Sequence, residues 1–280
     1  MKNIFIISLL TIFLASCEGD LYTDVKSFDI SVEGYIEQGK QPYITLMRTL
    51  PVKTEYESFD SLSIYVIDDA VVKISVDNKV YQLDVESMGN INNPYVYTSH
   101  ELIGEIGKVY TLDISYMNKH LTATTSIPKP VDLISIIAQQ TENNPNSYMI
   151  NASFIDNKKT KDYYKTFVLS PDDNNQFLSS FMGNFDDDDF STDTIDIAVL
   201  KGRSIYNNRF SPLFKIGESV SVKFCHIEED AFHFWNEYEK ALYFSRNPIF
   251  STRMNIPSNI TGGLGYWFGY GSTYYNLMIE

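Results

Sequence analysis

The amino-acid sequence predicts a mainly β fold: an N-terminal immunoglobulin-like β-sandwich, followed by a second β-rich domain that carries one amphipathic helix. Beyond residue 27, apolar and polar residues alternate along most of the chain, which is typical of strands with one buried face. Clusters of turn-forming residues separate these runs. One segment near residue 230 instead repeats its apolar residues with the period of a helix.

About seven short strands are predicted in the first sandwich, residues 27–130. Alternation over Ile30–Ile36 and Tyr43–Met47 indicates the first two, and two hairpins follow with turns at Asp77-Asn78 and Met117-Asn118-Lys119. Strands at this spacing within about 100 residues favour an immunoglobulin-like sandwich. Tyr110 opens a late strand and is either a tyrosine corner or a plain core or edge tyrosine. The other predicted strands cover Ala70–Val76, Lys79–Val85, Val96–Ser99, Val109–Tyr116 and His120–Ile127.

Pro128-Lys129-Pro130 is the predicted domain boundary, because neither proline can donate a hydrogen bond to a strand ladder. The second domain covers residues 131–280. Segments rich in Asn and Asp, at 143–146 and 172–175, are predicted to be loops. The predicted strands of this domain are Leu133–Ala138, Tyr148–Ile155, Tyr163–Leu169, Thr194–Leu200 and Ser219–His226.

The helix is predicted over about 228–246. Ala231, Trp235, Tyr238 and Leu242 recur at i, i+4, i+7 and i+11, which places them on one face. Carboxylates in the first turn favour the positive end of the helix dipole, and Pro248 cannot continue the helix. Those carboxylates are Glu228, Glu229 and Asp230.

The first sixteen residues are predicted to be a lipoprotein signal peptide. After Lys2, the apolar run from Ile4 to Leu14 is shorter than the roughly twenty residues that a membrane-spanning helix needs. It ends in Leu14-Ala15-Ser16-Cys17, which resembles a bacterial lipobox and predicts a lipid anchor on Cys17. The alternative is an ordinary cleaved signal with a chance cysteine.

Residues 17–26 form an acidic tether that carries Glu18, Asp20 and Asp24. An acidic tract behind the lipidated cysteine resembles the surface-export signal of Bacteroidota lipoproteins. We therefore expect an outer-membrane protein that faces the cell exterior, with a periplasm-facing location as the alternative.

Composition excludes several classes of protein. The chain has 22 Lys+Arg and 36 Asp+Glu, a net charge of -14, which is unsuited to binding nucleic acid. An aromatic content of 14% is too high for a disordered acidic chain. With only 2 cysteines the chain cannot hold a disulfide framework.

Several segments, taken in order, resemble the Bacteroidota lipoproteins that contain the domain of unknown function 4249. The resemblance extends from about residue 17 to the end, and the helix with Trp235 falls where the family has one. The 150–215 stretch departs most from the pattern of this family. The segments that carry the resemblance are Val32–Ile36, Tyr43–Leu46, Arg48–Pro51, Asp69–Val72, Tyr97–Ser99, Gly104–Leu112, Thr122–Pro128 and Pro257–Gly265, with Phe268 and Tyr270.

This resemblance implies an outer-membrane lipoprotein, often encoded beside a TonB-dependent transporter and a SusD-like binding protein. It implies no catalytic residue, and its lipidated cysteine falls on Cys17. The leading hypothesis is therefore a non-enzymatic accessory component, either ligand-binding or scaffolding, of a SusCD-type nutrient-uptake complex. Its ligand would be a glycan or a peptide. The alternatives are an adhesion or envelope-structural lipoprotein and a hydrolase with an unrecognised site.

Two groups of residues are candidate metal ligands. The acidic segment 186–189 with Asp193 offers carboxylates for Ca²⁺, with Asp186, Asp188 and Asp193 as the candidates, although EF-hand spacing is absent. The alternative is a solvated acidic loop. His226, Glu229 and His233 suggest Zn²⁺ only weakly, because there is no HExxH motif. No other cofactor is expected.

The stretch from Gly262 to Gly271 is the most unusual in the chain. Its glycines do not fit a dinucleotide-binding motif. Either they permit turns while the aromatic residues fill the core, or Tyr266, Trp267 and Tyr270 offer ring faces to a ligand or a transporter. Cys225 lies in an apolar strand, which predicts a buried structural cysteine.

Overall fold

The computed structural model describes residues 28–49, 65–88, 95–142, 144–171, 176–203, 210–244 and 256–280. The signal peptide, Cys17 and the acidic tether lie outside these ranges. No helix in the described part of the chain is long and apolar enough to cross a membrane.

Within the described residues the chain forms sixteen strands and one α-helix, so the prediction of a mainly β fold with a single helix is confirmed. The helix α1, Glu229–Phe244, begins and ends within two residues of the predicted bounds. The strands are β1 (Ile30–Glu37), β2 (Tyr43–Arg48), β3 (Val71–Val76), β4 (Lys79–Gln82), β5 (Asp84–Ser87), β6 (Tyr95–Thr98), β7 (Val109–Tyr116), β8 (Lys119–Ser126), β9 (Leu133–Thr141), β10 (Asn144–Ile155), β11 (Tyr163–Leu169), β12 (Leu178–Asp186), β13 (Thr194–Val199), β14 (Phe214–Lys215), β15 (Ser219–Ile227) and β16 (Leu264–Met278).

One eight-stranded sheet runs through the described structure, in the order β12-β11-β15-β16-β1-β2-β6-β5. Two four-stranded sheets pack on one face of it. The sheet β4-β3-β7-β8 covers β1, β2 and β6, with Ile44, Leu112 and Trp267 in the core between them. The sheet formed by β9, β10, β13 and β14 covers β11 and β15, with Phe154 and Phe224 between them. Helix α1 lies on the opposite face, over a third core.

The last strand joins the two halves of the chain. Leu264–Tyr270 pairs in parallel with β1, whereas Gly271–Met278 pairs antiparallel with β15. The sequence did not predict this strand, because its glycines are typical of turns. Residues 127–132 lie in no strand, but β16 belongs to both halves, and the predicted division at residue 130 stays a prediction.

Close backbone contacts explain the glycines of β16. A Cβ at Gly269 would lie 1.9 Å from the carbonyl oxygen of Ser126, and one at Gly271 would lie 2.3 Å from that of Pro128. The end of β8 and the proline-rich linker therefore cross directly over this strand. Only residues without a side chain allow that approach.

The predicted strand over residues 79–85 is in fact two strands. Lys79–Gln82 pairs with β3 in the small sheet, but Asp84–Ser87 pairs with β6 in the large one. The buried Leu83 lies at the change of sheet, and its amide donates to Val72 at 2.9 Å. The chain thus connects the two layers of the first sandwich at this point.

The hydroxyl of Tyr110 returns to the backbone upstream of its own strand. It accepts a hydrogen bond from the amide of Glu105 at 2.7 Å, and the residue itself is buried. A buried tyrosine whose hydroxyl bonds to the backbone a few residues earlier is the arrangement of a tyrosine corner. Of the two alternatives for Tyr110, the structure favours this one.

We predict that Gly269→Ala lowers the free energy of unfolding by about 3 kcal/mol, because the new methyl group meets a backbone oxygen that cannot turn away. Urea unfolding followed by tryptophan fluorescence measures this loss. The control is Gly39→Ala, where φ is 73° and a Cβ would have nothing within 4 Å. Only the cost of left-handed backbone, about 1 kcal/mol, is expected there. Equal losses in both variants would contradict the close-approach argument.

Candidate functional site

Charged and aromatic side chains meet on the face of the large sheet that α1 covers. Strand register places Lys165 opposite Cys225, and Cys225 opposite Ser272, so these three side chains share a face. The same face continues across the sheet to β1. We call the following residues the helix-covered cluster: Tyr35, Glu37, Lys165, Phe167, Lys223, Cys225, Trp235, Glu239, Tyr270 and Ser272.

Aromatic rings form the frame of the helix-covered cluster. Trp235 of α1 meets Phe167 edge to face, with ring centroids 5.2 Å apart. Its indole Nε1 donates a hydrogen bond to the hydroxyl of Tyr270 at 3.2 Å, and both residues are buried. Offset and edge-on contacts of this kind stabilise aromatic cores beyond the area that they bury. They fix α1 on the sheet.

Lys223 and Glu37 form a buried ion pair within this frame. The hydroxyl of Tyr274 also donates to Glu37, and the ammonium of Lys40 lies 3.3 Å from the same carboxylate. Burial alone would raise the pKa of Glu37, but the Lys223 ammonium and these hydrogen bonds together hold that pKa below its usual value. Glu37 therefore stays ionised although it is enclosed.

A second ion pair joins the sheet to the helix. Lys165, which is 0% exposed, pairs with Glu239 of α1, and Ser179 donates to the same carboxylate oxygen at 3.2 Å. The ammonium also lies 5.3 Å from the ring centre of Trp235. Burial lowers the pKa of Lys165, while the attraction of Glu239 opposes that shift.

Cys225 lies between the two lysines along the sheet. It is buried and unpaired, which confirms the prediction of a structural cysteine. Burial raises its pKa to about 11, and its sulfur lies 3.4 Å from the hydroxyl of Ser272. The thiol is therefore protonated at neutral pH and poorly suited to nucleophilic attack.

A family comparison matches this chain over residues 21–275 to the model described as domain of unknown function (DUF4249). The chain belongs to the DUF4249 family. The resemblance noted from the sequence is thus confirmed over nearly the whole chain. Among curated proteins, comparison finds no match. The roles of residues in this DUF4249 chain therefore rest on its own geometry.

The DUF4249 chain does not bring its three predicted ligand-binding residues together. Trp267 points to the opposite face of β16 from Tyr266 and Tyr270, as strand alternation requires. Trp267 is buried in the first core, where its indole donates to the carbonyl oxygen of Tyr110 at 3.1 Å. Tyr270 is buried as well, and of the three residues only Tyr266 is partly exposed to solvent. Trp267 and Tyr270 are core residues. Of the two alternatives for this stretch, the structure favours aromatic residues that fill the core, which corrects the ligand-binding assignment of these two residues.

Two of the three predicted calcium ligands are paired with a lysine. Asp186 and Asp188 both lie near Lys161, which pairs with them, and Asp193 is exposed on the next loop. In the parts of the chain that the structure covers, no three His, Cys, Asp or Glu residues are arranged to hold a metal ion. Calcium binding stays a prediction. For the weaker zinc hypothesis, His233 approaches Glu229 at 3.7 Å, but His226 bonds to the Lys129 carbonyl instead.

A surface cavity of about 410 Å³ lies at the N-terminus of α1, apart from the helix-covered cluster. The carboxylate of Glu228 accepts hydrogen bonds there from the hydroxyl of Thr125 at 2.9 Å and from the amide and hydroxyl of Ser126. This contact ties the helix to β8 of the first sandwich. The cavity is lined by Val109, Thr124, Thr125, Ser126, Glu228, Glu229 and Asp230.

The charged residues of the helix-covered cluster were not singled out from the sequence. A signal was present, because Lys165 and Lys223 each lie in a strand whose residues are mostly apolar or buried. A lysine in such a run needs a buried partner. Those partners, Glu239 and Glu37, lie 74 and 186 residues away, so alternation within a strand could not identify them.

We predict that Glu37→Gln lowers the free energy of unfolding by about 3 kcal/mol, because it leaves the Lys223 ammonium buried without a countercharge. Adding Lys223→Met should restore most of the loss. Urea unfolding of the single and double variants measures both effects. The matched control is Glu237→Gln, which breaks the exposed pair with Lys240 and should cost about 0.5 kcal/mol or less. A double variant as unstable as the single one would contradict the pairing.

We also predict that Asp187→Asn stabilises the chain at neutral pH. Burial, helped by the nearby carboxylates of Asp156 and Asp188, raises the pKa of Asp187, and one of its oxygens is buried without a hydrogen-bond partner. A carboxyl group whose pKa is higher in the folded state than in the unfolded state favours folding most at pH values below the unfolded-state pKa. This contribution to stability is lost as pH rises through the folded-state pKa. The gain in melting temperature should therefore shrink as pH falls towards about 4. A gain that does not change with pH would show that ionisation is not its cause.

Proposed function

We propose that this chain is a non-enzymatic lipoprotein, anchored through acylated Cys17 in the outer membrane and facing the cell exterior. The sequence Leu14-Ala15-Ser16-Cys17 carries the proposal, since small residues before a cysteine at the end of a short apolar run are typical of lipidation sites. In this role the chain serves as an accessory component of a TonB-dependent, SusCD-type nutrient-uptake complex. Its partners there are the transporter and a SusD-like lipoprotein.

The state of the reactive groups supports a non-enzymatic role. A catalytic nucleophile needs access to substrate and a lowered pKa or an adjacent base. Cys225 has neither property, because it is buried and its pKa is raised to about 11. The two buried lysines are each held in an ion pair. These groups build the helix-covered cluster and are not free for chemistry.

Partly exposed aromatic side chains at the end of β1 support a binding or scaffold role. Tyr35 and Tyr43 stack across two strands with ring centroids 5.0 Å apart. Tyr274 is 39% exposed, and the Lys40 ammonium lies 3.8 Å from its ring centre. Tyrosine offers a large apolar contact with a polar handle, which suits contact with a glycan, a peptide or a transporter. We call Tyr35, Lys40, Tyr43 and Tyr274 the aromatic edge.

We predict that Cys17→Ser removes the lipid anchor and moves the protein from the outer-membrane fraction into the soluble fraction. Fractionation and immunoblotting measure the distribution, and mass spectrometry of the N-terminal peptide detects the acyl chains. The control is Cys225→Ser, which changes the other cysteine and should leave the protein in the membrane. A Cys17→Ser protein that stays fully membrane-bound would refute lipidation.

Co-purification tests the uptake role separately. The anchored protein is extracted from outer membranes in mild detergent and captured, and its partners are identified by mass spectrometry. The proposal expects a TonB-dependent transporter and a SusD-like protein in the eluate. Substitution of the exposed Tyr274 by serine should weaken their recovery if the aromatic edge forms the contact. A protein that always elutes alone would contradict the scaffold role.

A further inference from the structure

Several loops and strand ends meet where the described chain begins. Strand β1 leaves this end just after Phe28, and β2 returns to it at Arg48. The turn between β7 and β8, at Met117-Asn118, lies here too, since the rings of Phe28 and Tyr116 are 6.3 Å apart. Leu264, the first residue of β16, pairs beside Ser31. We call this group of residues the Phe28 end.

The Phe28 end combines exposed apolar side chains with aromatic and basic ones. Met117 is 71% exposed and Leu264 48% exposed. The guanidinium of Arg48 lies 5.1 Å from the ring centre of Phe28, and the Lys119 ammonium lies 5.5 Å from it. Lys119 keeps part of its side chain exposed beside this ring, and a long basic side chain that does so suits the interface of a lipid bilayer.

Met117 also breaks a local rule. It sits in a two-residue hairpin turn with φ of 51°, a left-handed conformation in which Gly, Asn and Asp are favoured. The β3–β4 turn at the other end of the same sheet follows the rule, with Asp77 at 49° and Asn78 at 63°. Met117 thus places a bulky apolar side chain on an exposed turn, at a backbone conformation that a polar Asn or Asp adopts with less strain.

We infer that the Phe28 end rests on the lipid bilayer, with the side chain of Met117 in the interfacial region. The inference rests on the proposed acylation of Cys17. Ten residues separate Cys17 from Phe28. A chain of ten residues reaches at most about 36 Å. The opposite end of β7 is about 25 Å further from this point. The anchor therefore limits how far the Phe28 end can lie from the membrane, and the limit for the opposite end is about 25 Å looser.

The position of the anchor in the sequence distinguishes the two ends of the first sandwich as candidates for contact with the membrane. Exposed apolar residues occur at the opposite end as well, where Val80 is 65% and Val109 56% exposed. That end is about 25 Å from Phe28, where the described chain begins. The Phe28 end also carries carboxylates, which would repel anionic headgroups: Asp29, Asp68 and Asp69. Within the described chain only Asp29 has a basic partner there, since it lies 3.6 Å from Lys119. The contact is therefore apolar and shallow, and does not depend on anionic lipid.

The test places a fluorophore on one end or the other of the same sheet. Met117→Cys and Asn78→Cys are prepared in the full, acylated chain and labelled with an environment-sensitive dye. Native Cys225 remains in place, because it is buried and protonated. Each protein is reconstituted into phosphatidylethanolamine–phosphatidylglycerol vesicles that contain nitroxide-labelled lipid, and quenching is measured. Melting curves verify that both variants fold.

We expect the label at position 117 to be quenched several-fold more strongly than the label at position 78, with little change when the phosphatidylglycerol content is varied. Equal quenching at the two sites, in protein that floats with the vesicles and carries acyl chains, overturns this inference and leaves the lipid anchor standing. A chain that carries no acyl group on Cys17 overturns both. Stronger quenching at position 78 shows that the opposite end faces the lipid.

Discussion

The pairing of β16 with both β1 and β15 is the constraint on which the rest of the structure depends. It makes one eight-stranded sheet from strands that lie at opposite ends of the chain. The strand meets a different demand on each face. On one face the backbone of Ser126 and Pro128 crosses so closely that Gly269 and Gly271 cannot carry a side chain. On the other face, larger residues such as Phe268 and Tyr270 build the core beneath α1. Glycine and aromatic residues alternate in β16 because its two faces pack against different surfaces.

The core beneath α1 contains two ion pairs among its aromatic side chains. Apolar residues of similar volume would fill the space without the cost of desolvating two lysines and two glutamates, so the ion pairs are weak evidence for stability. Their geometric effect is more definite. Lys165 can be satisfied only where Glu239 of α1 reaches it, and Lys223 only where Glu37 lies. We interpret the pairs as devices that specify the position of the helix and the register of β1 against β16, which removal of one partner at a time can test.

Local patterns allowed much of the fold to be predicted, and long-range pairing accounts for what was missed. The strand over Tyr163–Leu169 and the turn at Asp77-Asn78 follow from alternation and turn chemistry, which act over a few residues. The change of sheet at Leu83 depends on a contact with Val72 in another strand. The assignment of β16 depends on β1, more than 220 residues earlier in the chain. For the same reason the sequence left open whether Trp267 and Tyr270 offer ring faces or fill the core, and the structure buries both.

The two proposed surfaces of this protein lie at opposite ends of β1. Phe28 precedes the strand, whereas Glu37 ends it and Lys40 and Tyr43 follow, about 25 Å away at the rise of an eight-residue strand. If the Phe28 end rests on lipid, the aromatic edge points away from the membrane. The end with the strained, exposed Met117 then meets the bilayer, and the end with stacked tyrosines faces away from it. An orientation with the opposite sense would place the aromatic edge against lipid and leave the exposed face of Tyr274 no access to a ligand or a transporter.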